Sequence, residues 1–264
     1  MTDLLDLARR LAEQASEVLR RGVPSRGAGS EAKTSLTDHV TDVDRASEAL
    51  IVEGIRRARP DDGILGEEGA DHAGSSGVRW VIDPLDGTTN YLYDQPAYAV
   101  SIGVEVDGVA EVGVVSAPAP DEVFSAARGG GAFRNGVPIT VSGHDDLATA
   151  LIGTGFAYVA ERRAAQGAVV ARVLPRVRDI RRNGSAALDL CWVACGRLDG
   201  YYEAGLQAWD MAAGLLIAAE AGAVTAGLTG GPPVPGSAVA ATPGVAQALL
   251  ALLAEAGVAD LLDD

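Results

Sequence analysis

Long hydrophobic runs are absent from this chain of 264 residues. No apolar stretch approaches the roughly 20 residues that a helix needs to cross a bilayer. The first residues, Met1 to Asp6, also lack the basic segment that opens a secretory signal. We therefore expect a cytoplasmic protein that makes no contact with membranes.

Cysteine and histidine are scarce, which argues against a disulfide framework and against a zinc site. Cys191 and Cys195 lie one helical turn apart in an apolar segment, where cysteine usually serves as a small buried hydrophobe. The three histidines, His39, His72 and His144, are scattered along the chain without the spacing of zinc ligands. A metal site in this chain would have to be built from oxygen ligands, which favour Mg²⁺ or Mn²⁺.

Basic residues are outnumbered, with 21 Lys and Arg against 36 Asp and Glu, and the formal net charge is −15. Such a charge repels a nucleic-acid backbone, so we expect no nucleic-acid partner. It also restricts how the protein could bind a phosphate. Two like charges 4 Å apart repel by about 4 kcal/mol at an effective dielectric constant near 20. A phosphate that faces several carboxylates therefore needs cations between them.

The most informative segment is Asp83-Pro84-Leu85-Asp86-Gly87-Thr88, which follows the apolar run Trp80-Val81-Ile82. The pattern predicts a buried strand that delivers two carboxylates into a turn, and Pro84 should direct the chain out of the strand after Asp83. Gly87 allows a close approach of the backbone to a ligand. Amides that open a helix at Thr88 could bind phosphate beside carboxylates that hold Mg²⁺. Taken alone, however, Asp-Pro and Asp-Gly are common turn dipeptides.

Two further motifs flank this segment in the sequence. Gly66-Glu67-Glu68 lies upstream, and Trp209-Asp210-Met211-Ala212-Ala213-Gly214 lies downstream. The three motifs, in this order over nearly the whole chain, resemble the signatures of the inositol monophosphatase family. The resemblance implies a stacked αβαβα sandwich of the inositol monophosphatase and fructose-1,6-bisphosphatase type, and a phosphomonoesterase activity.

The resemblance also implies a metal site with two Mg²⁺ ions, for which Mn²⁺ can substitute, and it leaves a third ion open. Its ligands would be the side chains of Glu67, Asp83, Asp86 and Asp210 and the carbonyl oxygen of Leu85. Catalysis would be a direct hydrolysis in which Glu67 and Thr88 orient a water molecule and Asp83 bridges the metals. Lys33 and Asp44 would lie at the edge of the metal site. Inhibition by Li⁺ and a homodimer are further expectations from the family.

The substrate implied by the resemblance is a small phosphorylated polyol or sugar, foremost inositol 1-phosphate. The residues expected to bind it are Asp86, Gly87, Thr88, Gly184, Ser185, Ala186, Glu203 and Asp210. Asn183 stands where we expect an apolar residue, which leaves the pocket edge open. Fructose 1,6-bisphosphate, histidinol phosphate and 3′-phosphoadenosine 5′-phosphate are alternative substrates. A non-catalytic regulatory binding protein is an alternative of another class.

Simpler interpretations exist for several of these residues. Thr41 and Asp44 have the spacing of a capping box, and Asp210 could be a helix N-cap. Glu203 could be a solvated acid at the end of a strand. Gly129 to Gly131 could cradle a phosphate, but the absence of a P-loop lysine favours a turn. A haloacid-dehalogenase phosphatase is disfavoured because its acids lie two positions apart, whereas Asp83 and Asp86 lie three apart.

The pattern of apolar residues divides the chain near residue 145. Residues 1–145 predict an α+β domain with an antiparallel sheet, and residues 146–264 an α/β domain with a mostly parallel sheet. In the first part we expect a helix over 3–21, a second helix that bears Val43, Ala46, Ala49 and Leu50, and strands over 98–106, 109–117 and 122–127. In the second part we expect helices over 160–174, 185–195, 209–221 and 243–256, and strands over 150–156, 177–181, 198–203, 223–226 and 238–241.

Overall fold

The computed structural model describes residues 2–22, 30–32 and 39–262. The α-helices in this part of the chain are α1 (Thr2–Arg21), α2 (Asp42–Ala58), α3 (Thr88–Leu92), α4 (Ala160–Val173), α5 (Ala186–Ala194), α6 (Ala208–Glu220) and α7 (Pro243–Glu255). The strands are β1 (Ser30–Ala32), β2 (His39–Thr41), β3 (Gly63–Gly66), β4 (Asp71–His72), β5 (Val78–Asp86), β6 (Ala99–Val106), β7 (Val109–Ala117), β8 (Glu122–Ala127), β9 (Ala132–Arg134), β10 (Val137–Ile139), β11 (Leu151–Thr154), β12 (Asp179–Arg181), β13 (Gly200–Ala204), β14 (Val224–Ala226) and β15 (Ser237–Ala241). The expected helices and strands all occur, with boundaries shifted by a few residues.

The first large sheet has eight strands in the order β10-β9-β8-β7-β6-β5-β3-β4. Its pairs are antiparallel except for β3 and β5, which run parallel, so the expected antiparallel sheet is confirmed for most of its strands. Asp107 and Gly108 join β6 to β7 with φ angles of 51° and 79°. These values belong to the tight hairpin turn that the Asp-Gly pair favours. The short strand β4 follows β3 and pairs with it at the edge of this sheet.

The second large sheet has five strands in the order β12-β11-β13-β15-β14. Strand β11 is parallel to β12 and β13, whereas β15 is antiparallel to both β13 and β14. The expectation of a mostly parallel sheet is therefore wrong. The connection from β14 to β15 is a Gly- and Pro-rich segment, 227–236, without a helix. A parallel neighbour needs a crossover of about a dozen residues or more, usually with a helix, but an antiparallel one does not.

The helices and sheets stack in five layers. Helices α1 and α2 pack on one face of the first sheet, and α5 and α6 fill the space between the two sheets. Helices α4 and α7 cover the outer face of the second sheet. The expected αβαβα sandwich is confirmed. The domain boundary near residue 145 stays a prediction.

Two glycines bring α6 close to the first sheet. Gly103 of β6 and Gly113 of β7 are opposite each other in the strand register. A Cβ atom on Gly113 would lie 2.6 Å from the backbone oxygen of Ala213, and one on Gly103 would lie 2.8 Å from the Cβ of Ala212. The paired glycines therefore form a flat surface on which the start of α6 rests, and this contact fixes the helix that carries Asp210.

Strand β5 runs farther than the sequence predicts. It continues through Pro84 to Asp86 instead of ending after Asp83, and its pairing with β6 shifts register between Asp83 and Asp86. Proline cannot donate a backbone hydrogen bond, so a local irregularity in the ladder accommodates it. Within the described ranges, no helix combines the length and the apolar character needed to cross a membrane.

Candidate active site

Four acidic side chains from three segments of the chain face one cavity of 430 Å³. They are Glu67, which follows β3, Asp83 and Asp86 of β5, and Asp210 of α6. The backbone and side chains of Leu85, Gly87 and Thr88 line the same cavity. The structure thus brings together all the residues that the sequence proposes as metal ligands.

Glu67 reaches this cavity because its segment continues the pairing of two parallel strands. The N–H of Glu67 donates to the backbone oxygen of Ile82 at 3.1 Å, one position before Asp83. The N–H of Gly66 donates to the oxygen of Ala70 at 2.6 Å and closes the turn that follows β3. Glu67 and Asp83 therefore leave the same edge of the sheet side by side.

Asp83 is almost completely buried, and one of its oxygens, Oδ1, accepts a hydrogen bond from the N–H of Leu85 at 3.0 Å. Burial raises the pKa of Asp83 well above its usual value, and the negative charges of Glu67, Asp86 and Asp210 raise it further. Crowded carboxylates of this kind ionise together only when a cation lies between them. The site therefore has the electrostatic character of a cation-binding site.

Asp86 links the two halves of the chain. Its Oδ2 accepts hydrogen bonds from the Ser185 hydroxyl at 2.6 Å and from the N–H of Ala187 at 2.7 Å. Ser185 is the N-cap of α5, so Asp86 lies at the positive end of that helix. Burial raises the pKa of Asp86 to about 6, although these two hydrogen bonds oppose the increase.

Asp210 occupies the third position of α6 and is not its N-cap, which corrects the simpler interpretation from sequence. The N-cap is Gln207, whose backbone N–H donates to Asp210 Oδ2 at 2.6 Å. One oxygen of Asp210 thus stabilises the helix start while the side chain faces the cavity. Burial and then the charge of Asp86 raise the pKa of Asp210 well above its usual value.

The donor set suits a hard divalent cation, because carboxylates and a backbone carbonyl are the ligands that Mg²⁺ and Mn²⁺ prefer. Within residues 2–22, 30–32 and 39–262, no three acidic, histidine or cysteine side chains form a compact metal-binding cluster. The four carboxylates nevertheless line one cavity.

Thr88 and Asp44 form a buried pair beside the carboxylates. Thr88 Oγ1 lies 3.0 Å from Asp44 Oδ1 and 3.1 Å from the carbonyl oxygen of Leu85. Asp44 Oδ2 also accepts from the N–H of Thr41 at 2.9 Å, and Thr41 caps α2 in return. Asp44 therefore completes the capping box and contacts a residue of the site. Lys33, the other residue expected at this edge, lies outside the described residues.

A second cavity of 240 Å³ adjoins the first, and Asp86, Gly87 and Asp210 line both. It is also lined by Gly184, Ser185, Ala186 and Glu203. All the residues that the sequence proposes for substrate binding thus line one or both cavities.

Glu203 faces the second cavity and is not a solvated acid at the edge of the sheet. The hydroxyl of Tyr201 donates to Glu203 Oε2 at 2.6 Å. Burial raises the pKa of Glu203 to about 7, against the opposing effects of Tyr201 and of the positive charge of Arg182. Gly155 makes room for this carboxylate, because a Cβ atom at position 155 would overlap the Glu203 side chain.

The structure adds residues to this pocket that the sequence analysis missed. Asp189 lies buried on α5, lines the second cavity and accepts a hydrogen bond from Asn183 Nδ2 at 2.6 Å. This contact explains the unexpected Asn183. Burial raises the pKa of Asp189 well above its usual value. The sequence feature that could have indicated this site is the position of Asp189 as the single acid within the apolar run of α5. Arg162 and Arg182 line the same cavity.

The model of the inositol monophosphatase family matches residues 1–259. The chain belongs to the inositol monophosphatase family. It is 49% identical to the inositol-1-monophosphatase of Mycobacterium leprae, over 94% of this chain and 90% of that protein. It is also 43% identical to the Nus factor SuhB of Pasteurella multocida, over 95% of each chain.

The fold of this family member agrees with that of a solved relative. The crystal structure of the extragenic suppressor protein suhB from Bartonella henselae superposes with a TM-score of 0.90 at 36% identity, over 95% of this chain and 98% of that one. With the family shown over nearly its whole length, the chain is a phosphomonoesterase.

Proposed function

We propose that this phosphomonoesterase hydrolyses inositol 1-phosphate to myo-inositol and phosphate with two Mg²⁺ ions. The observation that carries the proposal is the pair of adjoining cavities. One is lined by four carboxylates, and the other, of 240 Å³, is lined by polar residues that include Ser185 and Glu203. They share Asp86, Gly87 and Asp210. A phosphomonoester can therefore lie with its phosphate among the metal ligands and its alcohol in the second cavity. The name of the Mycobacterium leprae relative points to the same substrate.

The residues that would hold the metals are Glu67, Asp83, Asp86 and Asp210 through their side chains and Leu85 through its carbonyl oxygen. When bound, two Mg²⁺ ions supply positive charge for the phosphate and the leaving oxygen and lower the pKa of a water molecule. Asp83 is buried under the charges of Glu67, Asp86 and Asp210, and in this proposal its carboxylate would serve both ions. Mn²⁺ would substitute, and Li⁺ is expected to inhibit.

The water that attacks phosphorus would be oriented by Thr88 and Glu67. The hydroxyl of Thr88 has two acceptors, Asp44 Oδ1 at 3.0 Å and the carbonyl oxygen of Leu85 at 3.1 Å. Donation to either one leaves the lone pairs of Thr88 Oγ1 to accept a hydrogen bond from the water. Glu67 would accept a proton from the water as its oxygen bonds to phosphorus and the P–O bond to the alcohol breaks, and the leaving oxygen would take a proton from solvent. Asp83 takes no part as a nucleophile, so the reaction forms no phosphoenzyme.

The substrate would be held from both sides. The N–H groups of Gly87 and Thr88 donate to phosphate oxygens, and because α3 has only five residues these amides act locally rather than through a long helix dipole. Glu203 and Asp86 accept hydrogen bonds from ring hydroxyls, with Gly184, Ser185 and Ala186 forming the adjacent wall.

A substrate with a second anionic group is the other candidate. Arg162 and Arg182 line the second cavity together with Asp86 and Asp210, and guanidinium groups bind phosphate well. Fructose 1,6-bisphosphate has this charge pattern. Histidinol phosphate has a cationic end, which would meet Asp189 and Glu203 as well as the two arginines in this cavity.

A regulatory role is a separate candidate, because the similar protein of Pasteurella multocida is named a Nus factor. The net charge of −15 disfavours direct binding of nucleic acid. A regulatory role would therefore act through protein partners. Independently of this role, we propose that the enzyme is a homodimer.

The deciding experiment measures phosphate release from inositol 1-phosphate, fructose 1,6-bisphosphate, histidinol phosphate and 3′-phosphoadenosine 5′-phosphate with and without Mg²⁺. We expect the highest kcat/KM for inositol 1-phosphate and no release without a divalent cation. Faster release from fructose 1,6-bisphosphate would favour the second candidate. No release from any ester would contradict the metal-dependent mechanism.

A further inference from the structure

Three side chains on one face of α2 each bond a different segment of the active site. Asp44, Ser47 and Glu48 have the spacing i, i+3 and i+4, which places them together on a helix. Asp44 contacts Thr88, and Ser47 Oγ donates to the carbonyl oxygen of Pro84 at 2.9 Å. The contact made by Glu48 is with the turn that carries Glu67.

Glu48 bonds the backbone on both sides of that turn. Its Oε2 accepts from the N–H of Glu68 at 2.8 Å, and its Oε1 accepts from the N–H of Ala70 at 3.1 Å. Only 7% of the Glu48 side chain is exposed. A Cβ atom on Gly66 would overlap the Glu48 carboxylate. The carboxylate therefore fills the concave side of the turn, bonded to the peptide N–H that directly follows Glu67 and to that of Ala70.

A carboxylate suits this position better than any neutral side chain. Two N–H groups need two acceptors, and both oxygens of Glu48 accept. A glutamine would offer one acceptor and turn its NH₂ group against the other N–H. Bonds of an ionised acceptor to backbone N–H groups are also stronger than neutral ones. The turn is therefore held firmly only while residue 48 is a glutamate.

We propose that Glu48 is a positioning residue that sets the orientation of Glu67 and thereby the affinity of the site for divalent cations. Glu48 touches neither metal nor substrate in this assignment. Loss of an outer partner of a metal ligand typically weakens metal affinity about 10- to 100-fold. The inference rests on the proposed metal-dependent function, in which Glu67 is a ligand.

The test compares Glu48→Gln with Glu53→Gln, the same change on the same helix. Glu53 is exposed, and in the described part of the chain its carboxylate pairs with the surface residue Arg57. Mn²⁺ binding to metal-free protein is measured from the free Mn²⁺ signal in electron paramagnetic resonance. We expect E48Q to bind Mn²⁺ about 10-fold more weakly and E53Q to bind it like the wild type. Equal affinity of E48Q and wild type, or equal losses in both variants, would overturn the proposal.

A second readout separates positioning from general damage. Phosphate release is followed against Mg²⁺ concentration, and E48Q should need about 10-fold more Mg²⁺ for half-maximal activity while kcat at saturating Mg²⁺ and the KM for substrate stay near wild type. A lower kcat with an unchanged Mg²⁺ requirement would contradict the role.

Glu48→Asp provides a variant that keeps the charge and both acceptors but is one methylene shorter. Its Mn²⁺ affinity should lie between those of wild type and E48Q. If E48Q does not fold, unchanged Mn²⁺ affinity in E48D would overturn the proposal by itself. A wild-type protein that binds no Mn²⁺ and needs no Mg²⁺ would instead overturn the proposed function, so the two failures are distinguishable.

Discussion

At the scale of single residues, Asp83 is the buried ligand on which the other three proposed ligand carboxylates, Glu67, Asp86 and Asp210, all act. We expect Asp83→Asn to lower kcat at least about 100-fold, since an amide is a poor ligand for Mg²⁺ and cannot bridge two ions. The measurement is phosphate release over a range of Mg²⁺ concentrations. Asp121→Asn, at a side chain that is 92% exposed, is the matched control. Normal turnover of the Asp83 variant in saturating Mg²⁺ would contradict the assignment.

Gly155 permits a residue-scale test of the polyol pocket. A methyl group at this position would overlap the Glu203 carboxylate, so Gly155→Ala should move Glu203 and raise the KM for inositol 1-phosphate about 10-fold, equivalent to about 1.4 kcal/mol. An aryl phosphate without ring hydroxyls should be cleaved as before. Gly167→Ala is the control, because a Cβ atom on Gly167 meets open space. An unchanged KM would show that Glu203 does not contact the alcohol.

At the scale of elements, the contact between α6 and the glycines of β6 and β7 is the most sensitive. A Cβ atom on Gly113 would meet the backbone of Ala213 at 2.6 Å, and backbone cannot move aside without moving α6. We expect Gly113→Ala to lower the free energy of unfolding by about 1–3 kcal/mol and to raise the Mg²⁺ requirement, because Asp210 moves with its helix. Urea unfolding and Mg²⁺ titration measure the two effects.

The control for this change is Gly143→Ala, since the space around Gly143 is open. A Gly113→Ala protein with the stability and the Mg²⁺ requirement of the control would show that α6 can shift along the sheet without consequence.

Elements were predictable from the sequence where their signals are local. The hairpin between β6 and β7 follows from Asp107-Gly108, and the start of α2 follows from Thr41 and Asp44. The strand directions in the second sheet were not predictable, because pairing depends on how segments distant in sequence meet. The same reason explains why Asp189 and Gly155 were missed, whereas Asp83 and Asp86 lie within one recognisable motif.

At the scale of the whole molecule, the carboxylates couple stability to pH and to metal. In the metal-free protein burial raises the pKa of Asp86 to about 6 and of Glu203 to about 7. A carboxyl group whose pKa is higher in the folded than in the unfolded protein stabilises the folded state. The full contribution is present below the pKa of the group in the unfolded protein, near 4, and it is lost as the pH rises through 6 to 7. Because of these groups, we expect the melting temperature of the metal-free protein to decrease as the pH is raised from 5 to 8.

Mg²⁺ should reverse this trend, because it binds the ionised carboxylates of the folded protein only. At a free concentration 100 times the dissociation constant, one bound ion adds about 2.7 kcal/mol to the free energy of unfolding. The rise in melting temperature on adding Mg²⁺ should therefore be larger at pH 8 than at pH 5. Scanning calorimetry with and without Mg²⁺ measures it, and a pH-independent rise would count against carboxylate ligands.

The position of α5 and α6 between the sheets also has a consequence for synthesis. The ribosome makes the eight-stranded sheet before residues 186–220, which cover its inner face. Until those helices emerge, the nascent chain has an uncovered apolar surface and lacks Asp210, one of the five proposed cation ligands. Chaperones that hold exposed strands should therefore engage this chain early in translation and release it once α6 has docked.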